Sequence, residues 1–437
     1  MAYLFHRPDL QVKWNKFMSI SSSVPFALIG AGGIGAVHLS TLRRLHSEGK
    51  VQFIAVADPF IAGSPVRREL EALGIRWYSD YCEMLKREKD LKAVTISTPI
   101  SLHFSMVREC LERDLFILLE KPPVPLIQQL DQLIELDTHN RVAVGFQMIY
   151  APALKRMKQS IAAGDIGEIE EIRIAAAWPR TDSYYNRARW AGQLMLDGEP
   201  VFDGPATNGL AHLIHNAMYL AAQQGERFAE PHEIQGMLYR ARQIAGYDVA
   251  SFRGLFASGT TFTASLTHAV KELEPFKIEV RGTEGWVRIS DDGRAFETPT
   301  VKERFETGST LVDLSAELYA QFLNAIHGQK NPLLTRLKDA RGYVLATNGA
   351  WLSSGGIHDI DSHWKRSYSN NGDPGVEVIG LVEQIEDAFA AGQLLSEQNI
   401  PWAYPSRWVS THNLRNIQFP ETTPIGLPAE HVSQCAQ

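Results

Sequence analysis

A lysine held between an apolar run and two prolines raises the first chemical question. In "LFILLEKPP" the pair Glu120-Lys121 directly follows a strand-like run, and Pro122 and Pro123 stiffen the chain after it. A charge there is costly unless the end of the run opens onto a site that uses it. A second cluster, "DGPATNGLAHLIH", carries Asn208, His212 and His215 at i, i+4 and i+7, one face of a helix. Imidazole can take a hydroxyl proton near neutrality, so His212 reads as a general base. A lysine such as Lys121 can stabilise oxyanion charge, and an amide such as Asn208 can bind a hydroxyl without adding charge. As a metal set the three lack a carboxylate, and no metal is expected.

A third cluster is "FALIGAGGIGAVH", a strand-like run ending in Gly30-x-Gly32-x-x-Gly35 and opening into a helical pattern. Gly30 permits the tight turn, Gly32 close backbone approach to a pyrophosphate, and Gly35 close helix–strand packing. Gly33 and Ile34 lie in the same turn, at a helix N-terminus that favours phosphate. Asp58 ends the next strand, where a carboxylate accepts from both ribose hydroxyls of an adenosine. It would repel a 2′-phosphate, so NAD is preferred, while Arg67 and Arg68 leave NADP open. Ser97, Thr98 and Pro99 end the fourth strand and Glu120 and Lys121 the fifth, facing the same crevice.

The stretch "WPRTDSYYNRARW" is rich in aromatic and cationic side chains, among them Tyr184, Tyr185, Arg187 and Trp190. Ring faces stack on C–H surfaces while Arg, Asn and Asp bond hydroxyls, which suits a sugar or polyol.

The elements that must position these groups alternate. Apolar strand runs and amphipathic helices follow one another from Val24 to about residue 148, which predicts a doubly wound parallel sheet. Beyond it strands dominate, with the alternation of antiparallel hairpins. Residues 149–437 are therefore read as a second, α+β domain, and residues 1–23 as an extension. A helix is expected at about 205–223 and a loop at "SYSNNGDPG" (367–375). The 437 residues carry a net charge of −7, without the clustered positive charge that nucleic acid or an anionic membrane needs. No run approaches the roughly 20 apolar residues of a membrane span, and the start lacks a signal-peptide pattern. The three cysteines are too few and scattered for a disulfide framework or a zinc site. A cytoplasmic protein is expected.

These segments together resemble the Gfo/Idh/MocA oxidoreductases. The likeness rests on "LIGAGGIGAVHL", "VADP", "TISTPISLHFSMVRECLERDLFILLEKP", "VAVGFQMIYAPALKRMKQSIAAGDIGEI" and "VRGTEGWVRI", in family order. It implies a Rossmann domain followed by a domain on a large, mostly antiparallel open sheet, through which a homodimer or homotetramer forms. It also implies that Lys121 belongs to the catalytic pair, that the Lys121–Pro122 bond is open to the cis form, and that His103 and Gln147 border the cofactor. His212 matches the family histidine; Asn208 stands where relatives usually carry Asp, and His215 replaces a later Asp. The activity implied is hydride transfer between a sugar, inositol or polyol hydroxyl and NAD(P). An NAD-dependent glycoside hydrolase and a non-catalytic cofactor sensor are the alternatives.

Overall fold

The computed structural model describes residues 23–412 and 414–420, so the 1–23 extension lies outside it apart from Ser23. Strands β1 (Val24–Ile29), β2 (Val51–Ala57), β3 (Arg76–Tyr78), β4 (Ala93–Ile96), β5 (Phe116–Leu119) and β6 (Val142–Val144) pair in parallel in the order β6-β5-β4-β1-β2-β3. β4 and β6 are buried throughout and β1 and β5 nearly so, as a sheet covered on both faces requires. The strand order reverses between β1 and β4, and ligands of such sheets sit at that point, outside the carboxyl ends. Gly30, Asp58, Ser97 and Glu120 directly follow β1, β2, β4 and β5.

The chain does not divide at residue 148 as cleanly as the pattern predicts. Thr335–Arg336 returns to pair antiparallel with β6 and becomes the seventh strand of that sheet. The helix Leu311–Ile326 also returns, and sets Tyr319 and Phe322 against Phe26 of β1 with ring centroids 6.0 and 6.1 Å apart.

The second sheet has ten strands, mostly antiparallel, centred on β7 (Ile169–Ala177). β7 runs parallel to Thr261–Thr267 and antiparallel to Glu274–Gly282. Its side chains alternate between two cores: Ile172, Ile174 and Ala176 join the main one, Ala175 and Ala177 a second one on the opposite face. The second core is completed by the chain itself. Leu381, Ile385, Ala388 and Phe389 of the helix Leu381–Ala391, with Ile360, Val378, Leu395 and Trp402, lie on that face. Part of the sheet face that the resemblance would offer to a mate is thus covered from within.

Two local expectations are corrected. The segment read as a loop at 367–375 is the tip of a hairpin, Lys365–Asn370 with Asp373–Val378. Its turn is Asn371-Gly372 with φ of 52° and 86°, the two positive values of a type I′ turn. The helix expected over 205–223 is interrupted: a π-turn, Pro205–Gly209, gives way at Leu210 to an α-helix, Ala211–Ala221. No helix among the described residues is long and apolar enough to cross a membrane.

Candidate active site

The Gly-rich turn is a cradle built for contact. A Cβ on Gly35 would stand 2.2 Å from the Gly30 carbonyl oxygen, so only glycine lets α1 (Gly35–Ser47) start against β1. Gly30 has φ +88° and lies under Ser97, whose hydroxyl donates to the Gly30 carbonyl at 2.7 Å. Gly32 and Gly33 are exposed, and a Cβ on either would meet nothing within 4 Å. That is free backbone at a helix N-terminus, the donor set a pyrophosphate needs. Asp58 Oδ2 accepts from Ala31 N at 2.8 Å and Oδ1 from Phe60 N at 2.9 Å, which orients the carboxylate beside the loop. The residues fit a dinucleotide.

The residues expected around the cofactor separate into two groups. Gly32, Gly33, Ile34, Asp58, Thr98, Pro99 and Lys121 keep accessible surface. Ser97, His103, Glu120 and Gln147 are 7%, 1%, 5% and 4% exposed and face the protein. His103 sets Nδ1 3.0 Å from the Pro122 carbonyl and Nε2 3.0 Å from the Thr98 carbonyl, tying the ends of β4 and β5 together. It acts on the crevice through those strand ends, not by touching it.

Glu120 is held in a buried chain. His38 Nε2 lies 2.8 Å from Glu120 Oε1, His38 Nδ1 lies 3.1 Å from the Tyr319 hydroxyl, and that hydroxyl lies 2.8 Å from Thr95 Oγ1. A tautomer protonated on Nε2 donates to the carboxylate and accepts from Tyr319. Glu120 Oε2 in turn accepts from the Lys121 N–H at 3.1 Å. Burial opposes its ionisation, yet the His38 bond and the His38 and Lys121 charges leave it below the ordinary carboxylate range. The chain therefore fixes the backbone of Lys121 from α1 and from the returning helix. His38→Ala would leave that carboxylate buried without its partner and is expected to destabilise the fold by about 3 kcal/mol in urea denaturation.

The Lys121–Pro122 bond is cis. Lys121 Nζ donates to the Asn208 carbonyl at 2.7 Å and faces Asn208 Oδ1 at 3.4 Å. The Asn208 amide donates to Asp203 Oδ1 at 2.8 Å, and Asp203 Oδ2 accepts from Gly192 N at 2.6 Å. Asp203 is the principal residue that spacing did not reveal: the carboxylate missing at 208 stands five residues earlier and reaches Asn208 because the π-turn folds back. Burial pushes its carboxyl pKa up, against the Gly192 bond and the Arg187 charge. Burial lowers that of Lys121, with Glu120 and Asp203 opposing and Arg187 and Arg180 assisting.

His212 and His215 share a helix face, both rings meeting Phe146, but they differ in exposure. His215 is fully buried, stacked on Phe146 at 3.9 Å with parallel rings, and its Nε2 lies 3.3 Å from Thr335 Oγ1. It is a packing residue. His212 meets Phe146 edge-on at 5.7 Å, keeps part of its ring accessible, and has a buried Nδ1 with no partner. Burial and the Lys121 charge push its pKa down to about 3. Among the described residues no group of three His, Cys, Asp or Glu is placed to hold a metal.

The aromatic loop contributes unequally. Tyr184 OH is 3.4 Å from the Asn208 amide, and its ring lies between the guanidinium groups of Arg187 and Arg180, at 3.6 and 4.6 Å. Trp190 covers the same Arg187 at 4.6 Å. Tyr185 turns away: it packs against Gly192, and its hydroxyl is buried without a partner.

A dinucleotide cradle and a lysine–amide–histidine cluster facing one crevice define a two-domain oxidoreductase architecture. The chain belongs to the Gfo/Idh/MocA family: residues 24–147 match its oxidoreductase model with an NAD-binding Rossmann fold, and residues 154–288 its C-terminal domain. It is similar to the rhizopine catabolism protein MocA of Rhizobium meliloti, at 30% identity over 32% of this chain and 43% of that protein. An inositol 2-dehydrogenase of Rubrobacter xylanophilus is 25% identical over 34% of this chain and 42% of its own length. The chain thus spans under half the length of these two curated relatives. In fold it resembles the WlbA dehydrogenase of Bordetella pertussis, solved with NADH and UDP-GlcNAcA. That likeness has TM-score 0.65 at 18% identity, over 76% of this chain and 97% of that one.

Proposed function

We propose that the protein oxidises a secondary hydroxyl of a sugar, inositol or related polyol with NAD as hydride acceptor. The observation that carries the reading is the Lys121–Asn208 contact, which holds a cation just past the carboxyl end of β5, close enough to His212 for its charge to be felt there. Curated relatives named inositol 2-dehydrogenase support the substrate class.

The nicotinamide, when bound, supplies the hydride acceptor. The residues of the chain do the rest. Lys121, protonated, donates to the reacting oxygen as it becomes an alkoxide. Asn208 holds Lys121 and aims it through two oxygens. His212 accepts the hydroxyl proton on Nε2, the nitrogen that is not buried, in the tautomer that carries hydrogen on Nδ1. Gly32, Gly33 and Ile34 cradle the pyrophosphate, and Asp58 takes the ribose hydroxyls. Arg67 bonds Glu71 at 2.9 Å and stacks on Trp77 at 4.9 Å, so one of the two arginines that would welcome a 2′-phosphate is already engaged, and Asp58 stands where that phosphate would be repelled. NAD is accordingly preferred to NADP. The test is NADH absorbance across a panel of sugars and inositols; no turnover on any member, despite NAD binding, would sink the reading.

The pH profile has a definite sign. His212 must be neutral, and with a pKa of about 3 it stays neutral far below its ordinary 6.5. Lys121 must be charged, and its lowered pKa lets activity fall as pH rises, before 10.5 is reached. We expect kcat/KM for oxidation to be flat from about pH 5 to neutrality and to drop on the alkaline side. An acid limb near 6.5 that disappears in His212→Gln would keep His212 as the base but overturn its lowered pKa.

A further inference from the structure

Two arginines beside the proposed reacting centre have no acidic partner. Neighbouring arginines are paired: Arg189 with Asp197 and Arg242 with Asp182. Among the described residues Arg180 and Arg187 make no ion pair; they donate to the Pro179 and Tyr184 carbonyls. The one buried carboxylate near them, Asp203, has its oxygens occupied by Asn208 and Gly192.

Their ring contacts say how they are meant to be used. Trp178 and Tyr184 lie 5.7 and 4.6 Å from the Arg180 guanidinium, and Tyr184 and Trp190 lie 3.6 and 4.6 Å from that of Arg187. Stacking occupies the faces of a guanidinium and fixes its plane, while leaving its N–H edge free. Arg180 Nε is buried and unpartnered, as are Trp178 Nε1 and His268 Nε2. A Cβ on Gly209 would stand 2.7 Å from His268 Nε2 and 4.0 Å from Arg180 Nη2. His268 Nε2 and the Arg180 guanidinium therefore lie against Gly209, one residue from Asn208.

We propose that Arg180 and Arg187 form a subsite for an acidic group, so that the substrate is a sugar bearing a carboxylate or a phosphate. The inference deepens the oxidoreductase reading and rests on it for the word substrate. A carboxylate or a phosphate offers two oxygens that can accept paired bonds from a fixed guanidinium edge, which a neutral hydroxyl cannot match. It would also add negative charge where the Arg187 and Arg180 charges already oppose that of Lys121, with Glu120 and Asp203 on the other side.

The test is calorimetric titration of the full chain, saturated with NAD, by four probes: D-glucuronate, glucose 6-phosphate, glucose and myo-inositol. We expect one of the acids to bind roughly 10- to 100-fold more tightly than the neutral pair. The tighter acid tells carboxylate from phosphate. Arg180→Gln and Arg187→Gln should each bring that ratio toward one, with unchanged NAD affinity certifying the fold. Arg→Lys at either position should restore only part of it, since charge returns without the planar fork. Equal binding of acids and neutral sugars, no binding of either acid, or a ratio kept in both Gln variants would overturn the subsite. Acid binding without NADH formation would sink the oxidoreductase reading and leave the subsite standing. Turnover of neutral polyols with no acid preference would do the reverse.

Discussion

Replacing Lys121 with alanine is expected to lower kcat/KM for sugar or polyol oxidation by roughly 10²- to 10³-fold, the usual effect of removing a donor to a developing oxyanion. The residue is held at both ends, by the Glu120 carboxylate on its backbone N–H and by the Asn208 carbonyl on Nζ. Little of the fold depends on the ammonium itself. Its loss frees a single carbonyl, that of Asn208, at a partly accessible site, so stability should change by about 1 kcal/mol. Lys121→Arg should not rescue activity, because a planar fork cannot occupy the place of a point donor between Asn208 and the substrate. Full turnover in Lys121→Ala, measured with protein of unchanged melting temperature, would remove the role assigned to this residue.

What could be read from the sequence follows from how local each signal is. The strands β1 to β6, the Gly-rich turn and Asp58 are contiguous patterns of burial and turn chemistry, and all stand where spacing puts them. Lys121 was legible for the same reason: the prolines and the apolar run lie beside it. Residues that act across the chain were not. His38 reaches Glu120 across 82 positions and Tyr319 reaches Thr95 across 224, and no periodicity in either segment reports those contacts. The π-turn at Pro205–Gly209 takes Asn208 out of the α-helix that carries His212 and His215, and with it concealed Asp203. The covering of the second sheet was hidden differently. Helix Leu381–Ala391 carries an apolar stripe that fits either a subunit contact or an internal core, and only the fold chooses. The hairpin 365–378 could have been found, because Asn371-Gly372 is a strong turn signal. It matters: Asp373 accepts from Ser183 N at 3.2 Å, so the covering segment also steadies the loop that carries Tyr184.

Asn208→Asp installs the acid that the family resemblance leads one to expect at this position, yet here it is expected to harm the protein. Asp203 Oδ1 already stands 2.8 Å from the Asn208 side chain, and burial already pushes that carboxyl up. Two carboxylates so placed cannot both ionise, and one is driven to a strongly raised pKa. The sign follows. A raised carboxyl pKa in the folded state means that the fold binds the extra proton, so the single variant is closest to wild type in acid. It loses stability as pH rises through the unfolded carboxyl value toward the raised one, by roughly 2–3 kcal/mol at slightly alkaline pH. Activity should fall over the same range. Exchanging the two residue types, Asp203→Asn with Asn208→Asp, keeps one carboxylate and one amide. The amide now at position 203 would still accept from Gly192 N and would donate to the carboxylate now at position 208, which then pairs directly with Lys121. The double variant should therefore recover to within about 1 kcal/mol of wild type, a coupling that additivity does not allow. Urea denaturation across pH for wild type, both single variants and the exchange measures it. If the double variant is merely the sum of the singles, the Asp203–Asn208–Lys121 relay is not the unit that holds this site.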